Sequence, residues 1–406
     1  MKKINLVIGI ALLLILNCYA LLAVNSNSSS AQWTVANNLF KHSPHWRGSD
    51  DAYSIPLGNN RVLWLFGDTL VSNSDKFIPR SPDHIKMPRN SVGIMTGLNP
   101  AKASIKYYWG NNNSISKPES FFKSNLTGKD NWLWPGDGVL LPDHKTLIIF
   151  FMDIKPADND WEFDIAGWQT AKITNIKQTP DKWKIDWLRT AKYKPFEILL
   201  GSGGVIVDQN YLYAFGGNNA KIGNNMYLAR WPLHVFMYKR PFLSNPQWWT
   251  DRGWVENNLM KSRNLKPKKL WNEGQNEFTV TKLTDGKYVM FQTAYNTKNK
   301  QPGNSNLVYR TAKALTGPWS KQHILYKNLF RQKEIPADLN IYAGKYHPDL
   351  TDDQGDMIFT FASNTRSLKT LWQWQNVYYP SFLKIKKELF ESQLNVKKTV
   401  ATKVIE

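Results

Sequence analysis

GSDDAYSIPLGNNRVLWLFGDT, residues 48–69, sets two apolar runs, Ala52–Leu57 and Val62–Phe66, on either side of Asn59-Asn60. That pattern predicts a β-hairpin with a two-residue turn. Centring the turn on the two asparagines sets Gly58 against Arg61, and counting outward brings Asp51 opposite Asp68. Like charges directly across an antiparallel pair cost about 0.2–1 kcal/mol and push at least one pKa upward. One explanation is bland: Asp68 in a Gly-Asp turn, Asp50 and Asp51 capping a loop, all screened by solvent. The other is a site that uses the acids.

The hairpin recurs along the chain. GVLLPDHKTLIIFFMD from Gly138, GVIVDQNYLYAFGG from Gly204, FTVTKLTDGKYVMFQTAY from Phe278 and HPDLTDDQGDMIFTFASN from His347 repeat an apolar strand, a tight polar turn and a more aromatic strand. With Leu57, Leu140, Val207, Leu283 and Leu350 as markers, the intervals are 83, 67, 76 and 67 residues. About 70 residues hold four short strands and their loops, the content of one propeller blade with insertions. Further strands are expected at Ser91–Gly97, Ile165–Thr174, Met226–Trp231 and Asn306–Ala312. Helical periodicity is nearly absent. The chain therefore reads as all-β, a single five-bladed β-propeller over residues 32–390. Gln32–Phe40 would close the ring against Val377–Ile385, and a basic tail would follow at residues 391–406. On spacing alone, six blades or a β-sandwich remain alternatives.

The 406 residues, 42% of them apolar, suffice for a large core, and 18 Trp suit both β packing and stacking on sugar C–H faces. The net charge of +20 favours anionic partners. Lys and Arg are nevertheless scattered: Lys261–Lys269 reads as a loop and Lys384–Lys387 as part of a terminal strand. No nucleic-acid motif accompanies them, so no nucleic-acid partner is expected. Lys2-Lys3, an apolar run from Leu6 to Val24 and a polar exit at Asn25–Ser30 form an export signal, long enough for an anchor if retained. The expected location is periplasmic, extracellular or membrane-anchored facing outward. Cys18 is the only cysteine, so a mature chain lacking the signal has no disulfide, thiol nucleophile or Cys metal site.

In a propeller the first strand of each blade lines the central channel. The starts of the five hairpins hold Asp50-Asp51, Asp137 in WPGDG, the glycines of GSGG at residues 201–204, Glu277 in NEFTV and His347 in YHP. Convergence of these ionisable groups on one axis would give the opening acids a reason.

The run DDAYSIPLGNNRVLWLFGDT, with PRNSVGI, WPGDG, NEFTV, GPWS, YAGKYHPDL, FASN and YYPSF in that order, resembles a bacterial five-bladed propeller family. That family was long carried as a domain of unknown function. It includes endo-D-arabinofuranosidases (endo-D-arabinanases) and is related in fold to the furanosidase-type glycoside hydrolases. The resemblance covers nearly the whole mature chain. Its first-blade pattern is nearer Asp-Gly-Ala-Tyr-Ser, with the Asp of Gly-Asp-Thr eighteen residues on, which maps the catalytic carboxylates onto Asp50 and Asp68. This chain departs at Asp51, where the family usually has Gly, and at Ser381 in YYPSF, where Arg is usual.

The resemblance implies an exported glycoside hydrolase acting on a furanose-containing polysaccharide, arabinan-like and D-arabinan among the options. Such chemistry needs one protonated and one ionised carboxyl, and two neighbouring acids provide both because one ionisation disfavours the other. Asp50 and Asp68 are the expected pair. Asp51, Asp137 and Glu277 are second-tier acids, Arg89 and Asn90 are candidates for sugar hydroxyls, and His347 for a hydroxyl or for setting a carboxyl pKa. Trp64, Trp134 and Tyr53 lie beside the acids as candidate sugar walls. No cofactor is required; acids and one His on the axis could hold calcium, but no spaced loop of oxygen ligands is visible. A polysaccharide or oligosaccharide is the expected partner and a monomer the expected state, with a membrane tether through residues 6–24 if the signal stays. Three alternatives of other kinds are a non-catalytic carbohydrate-binding propeller, a structural or adhesive surface protein that uses the basic exterior, and a glycoside phosphorylase, the last requiring a cationic phosphate pocket.

Overall fold

The computed structural model describes residues 32–402 apart from 160–161, 220–222, 239–242, 296–304 and 331–333. The expected export signal at residues 1–31 lies outside the described residues. Five antiparallel sheets follow one another along the chain as five propeller blades. Blade 1 is Trp46–Gly58, Arg61–Ser72, Ser91–Thr96 and Ser104–Tyr108, with Ile85–Lys86 added to its second strand. Blade 2 is Trp132–Leu140, Leu147–Pro156, Phe163–Ile173 and Ile185–Leu188. Blade 3 opens with Leu199–Asp208, Tyr211–Asn219 and Asn224–Pro232 and carries an outer hairpin, Gln247–Thr250 with Gly253–Glu256. Blade 4 is Thr279–Lys282, Tyr288–Tyr295, Ser305–Ala312 and His323–Tyr326. Blade 5 has three strands, Leu339–Tyr346, Met357–Thr365 and Ser381–Ile385.

The second strands explain why the chain reads so apolar there. Successive side chains on a strand point to opposite faces, and a blade's two faces both pack on neighbours. In blade 1, Leu63 and Leu65 enter the seam with blade 2, whereas Val62, Trp64 and Phe66 enter the seam with blade 5. In blade 2, Ile149 and Phe151 face blade 1 while Ile148, Phe150 and Met152 face blade 3. Trp64 is thus fully buried in the core and unavailable as a sugar wall.

Ring closure is shorter than the sequence suggests. Gln32 bridges Leu383, and the Trp33 N–H reaches the Phe382 carbonyl at 2.9 Å, but Thr34–Asn37 and Asn38–Lys41 then coil into helical turns. Phe40 from those turns stacks on Phe382 at 5.1 Å, so side-chain packing does what further strand pairing would have done. The described residues end in a helix, Lys387–Thr402, which includes most of the expected basic tail. Phe390 anchors it against Phe291 and Tyr309 of blade 4 at 5.5 and 5.2 Å.

The opening hairpin turns where expected: Gly58 pairs with Arg61, and Asn59 and Asn60 both take left-handed backbone. The register then slips. Ser49 pairs with Thr69 and Asp51 with Phe66, which leaves Asp50 facing both Gly67 and Asp68. Asp51 therefore does not oppose Asp68. The cause is a run of irregularities, between Pro56 and Gly58, between Asp51 and Tyr53, and between Ser49 and Asp51, with Asp51 at φ 61° and Ala52 at φ 59°. Together they bring Asp50 to the acid of the second strand.

Candidate active site

Asp50 and Asp68 come from adjacent strands of blade 1, and the groups around them come from blades 2 and 5, from the segment before blade 4 and, with Arg89, from blade 1 itself. The Tyr342 hydroxyl, on the inner strand of blade 5, donates to Asp50 Oδ2 at 2.6 Å. Burial, reinforced by the Asp68 carboxylate, pushes the Asp50 carboxyl up to about 7. Asp68 meets different company. Arg89 Nη1 lies 3.1 Å from its Oδ2, and Trp134 Nε1 donates to its Oδ1 at 2.8 Å. Burial still raises Asp68, while Arg89 and Trp134 pull it down. The guanidinium of Arg89 is itself held over the Trp132 ring at 4.3 Å. Both acids are raised, but Asp68 has two donors that favour its ionised form, whereas the Asp68 carboxylate beside Asp50 favours its protonated form.

Gly67 is required between them. A Cβ there would lie 2.5 Å from Asp50 Oδ1 and 2.6 Å from Asp51 Oδ2, so only glycine leaves room for both carboxyl groups.

Beneath the pair sits Lys345, a residue the sequence reading passed over. Its side chain is fully buried, and Nζ reaches Glu277 Oε2 at 2.6 Å and the main-chain oxygen of Asp51. It also lies 4.2 Å from the Tyr53 ring, and the Tyr53 hydroxyl donates to the Ser202 carbonyl. Lys345 on blade 5 therefore joins blade 1 to the Glu277 segment that leads into blade 4, while Tyr53 reaches blade 3. Asp51 is buried, and burial together with Glu277 and Asp50 raises its carboxyl well above the usual range. Its Oδ2 has no hydrogen-bond partner among the described residues.

The remaining candidates divide. Asp137 gives both oxygens to the main chain: Gly138 N–H donates to Oδ1 and Val205 N–H to Oδ2, each at 2.8 Å. It ties blade 2 to blade 3 at a seam so close that a Cβ on Gly136 would lie 2.2 Å from the Gly201 carbonyl oxygen. Asn90 is fully buried; its amide takes Phe122 N–H and donates to the carbonyls of Phe122 and Leu133, with nothing left for a sugar. His347 is buried between Ser54 Oγ at 2.6 Å and Thr360 Oγ1 at 2.7 Å, and burial, with Lys345 nearby, pushes it down to about 3. It is neutral and structural. Asp51, Arg89, Trp134 and Glu277 do gather around the pair, and Trp134 presents a partly exposed ring packed edge-on to Phe163 at 4.8 Å. Tyr378, also missed, donates to the Asp68 carbonyl at 2.8 Å. Its signal was present, since Tyr342, Lys345 and Tyr378 all lie inside the YAGKYHPDL and YYPSF motifs. No group of three or more His, Cys, Asp or Glu among the described residues is placed to hold a metal ion.

Five consecutive antiparallel sheets define a five-bladed β-propeller, with Asp50, Asp68, Glu277 and Lys345 gathered between its first and last blades. The chain belongs to the family described as domain of unknown function DUF5005, which matches residues 34–388. Notoamide biosynthesis cluster protein J of Aspergillus sp. (strain MF297-2) is 23% identical over 367 residues, 87% of this chain and 90% of that protein. Protein J' of the same cluster type in Aspergillus versicolor is 23% identical over 77% of this chain and 79% of its own. Among solved structures, a Bacteroides ovatus ATCC 8483 protein provisionally named a hydrolase superposes with a TM-score of 0.63 at 15% identity, covering 87% of this chain and 89% of its own. That likeness is one of fold.

Proposed function

We propose that the protein is an exported glycoside hydrolase that cleaves a furanose-containing polysaccharide, an arabinan among the candidates, with Asp50 as the acid and Asp68 as the base or nucleophile. The observation that carries this reading is the unlike treatment of two neighbouring carboxyls. Asp50, pushed up to about 7, keeps a proton near neutrality. Asp68 is paired with Arg89 at 3.1 Å and with the Trp134 N–H. In the reaction Asp50 gives its proton to the glycosidic oxygen as the C–O bond breaks. Asp68, ionised, either adds to the anomeric carbon or takes a proton from the water that does. Arg89 and Trp134 hold Asp68 in place, Trp134 offers a ring face to the sugar, and Tyr342 orients Asp50.

The family resemblance read from the sequence and the hydrolase name given to the Bacteroides ovatus relative point the same way. Export rests on Lys2-Lys3 followed by the apolar run Leu6–Val24. The test is a screen of the purified protein against D-arabinan and linear and branched L-arabinan, with products sized. Reducing ends released by the wild type and not by Asp50→Asn support the reading; no release from any furanoside, or equal release by both, defeats it.

A further inference from the structure

A cleft of about 550 Å³ shares Arg89 with the acid site and is walled by residues 86–89 on one side and by residues 116–120 with Lys123 on the other. Its charges are lopsided. Lys86, Arg89, Lys117 and Lys123 line it, and Glu119 is the only acid among its lining residues. Glu119 is already claimed by an ion pair with Lys123. Lys86 and Lys117, both exposed, thus present charge that the cleft's acid does not balance. Met87 and Pro118 add apolar surface of the kind that lies against sugar rings. Arg89 ties cleft and site together: it lines the cleft, and its guanidinium tip pairs with Asp68 at 3.1 Å. A chain threaded past Asp68 therefore enters the cleft within the reach of one arginine side chain.

We propose that this cleft is a substrate subsite for an anionic substituent, a carboxylate or a phosphate ester, carried on sugars close to the cleaved bond. The inference rests on the hydrolase reading for its placement along the substrate, and on the cleft's own charges for its ligand. Such a subsite gives the strongly basic surface a defined task, since a neutral arabinan has no use for Lys86 and Lys117.

The test is direct binding to the full chain at low and at physiological ionic strength, with three probes: oligogalacturonate for carboxylate, a glycerol phosphate polymer for phosphate, and a neutral arabino-oligosaccharide. At least one anionic probe should bind the wild type with salt-sensitive affinity. Lys86→Gln/Lys117→Gln should weaken that probe about tenfold, the order expected for two exposed charge contacts. Which anionic probe responds identifies carboxylate or phosphate. Lys266→Gln/Lys269→Gln, in the loop that follows the outer hairpin of blade 3, removes the same charge and should change nothing. The proposal is overturned if neither anionic probe binds, if the cleft variant binds as the wild type does, or if the control pair weakens binding equally. It is also overturned if inorganic phosphate accelerates cleavage and sugar 1-phosphate appears, which would make the cleft a co-substrate pocket. Binding is read without turnover, so a protein that binds the probes through the cleft but hydrolyses no furanoside would break the hydrolase reading alone.

Discussion

Asp50 and Asp137 begin as equals. Each lies in the inner strand of its blade, and burial pushes each up to about 7. Their neighbours separate them. Asp137 faces main-chain N–H groups of Gly138 and Val205, both at 2.8 Å, which use up its oxygens in joining two blades. Asp50 faces side chains: the Tyr342 phenol at 2.6 Å, with the Asp68 and Glu277 carboxylates close enough to raise it further. A displaced pKa therefore does not distinguish a reactive acid from a structural one. What distinguishes them is whether the partners are fixed backbone donors or other titrating groups.

The largest expected effect sets these two acids apart directly. Asp50→Asn and Asp68→Asn should each lower kcat/KM by about 10²–10⁴-fold, the usual worth of a positioned proton carrier, with the melting temperature little changed. Asp137→Asn should do the reverse, keeping kcat while costing about 1–3 kcal/mol in denaturant unfolding, because one oxygen that accepted an N–H becomes a donor. If Asp137→Asn abolishes turnover in a folded protein, the distinction fails.

A second effect lies in the pH profile. Asp50 must hold its proton, so the rate should fall as pH rises through about 7. Glu277 raises Asp50 and Lys345 spends its charge on Glu277. Glu277→Gln should accordingly shift the alkaline limb to lower pH, and Lys345→Met to higher pH. Shifts of the same sign in both variants would show that the ion pair does not govern the acid.

Stability should carry its own pH signature. Asp50 and Asp137 are raised in the folded state, so they bind more protons folded than unfolded between 3.8 and about 7. Their contribution is present below that window and is lost as pH rises through it. His347 is lowered from 6.5 to about 3, so its contribution is present above 6.5 and is lost as pH falls toward 3. Thermal melts across this range should show His347→Gln losing less stability on acidification than the wild type. A slope unchanged by that substitution would count against a buried neutral imidazole.

The smallest effect belongs to Asp51. Asp51→Gly relieves a left-handed backbone position at φ 61° and removes a buried carboxyl oxygen without a partner. Activity should stay within about twofold and stability should rise by about 1 kcal/mol. A large loss of turnover would instead place Asp51 in the chemistry.

Much of the ring could be read because each blade repeats local signals. The expected strands Ser91–Gly97, Ile165–Thr174, Met226–Trp231 and Asn306–Ala312 are observed at Ser91–Thr96, Phe163–Ile173, Asn224–Pro232 and Ser305–Ala312. The acid register could not be read by counting, because the slip uses left-handed backbone at Asp51 and Ala52, where no glycine marks it. Family resemblance supplied Asp50 where alternation supplied Asp51. Lys345 escaped because its importance depends on Glu277, 68 residues away in sequence and 2.6 Å away in space. Asn90, Asp137 and His347 are buried, and sequence does not tell whether a polar group at such a position faces a ligand or the protein's own backbone and hydroxyls.

The wiring across the ring has a consequence for the chain while it is being made. Asp50 and Asp68 belong to the first blade completed during synthesis, yet Tyr342, Lys345 and Tyr378, which touch them or the backbone beside them, belong to the last. A nascent or C-terminally shortened chain carries both acids and lacks the Tyr342 phenol on Asp50, the Lys345 ammonium on the Asp51 main chain and the Tyr378 phenol on the Asp68 main chain. The ring must shut before the acids acquire these neighbours, so their surroundings are complete only once the final blade has docked on the first.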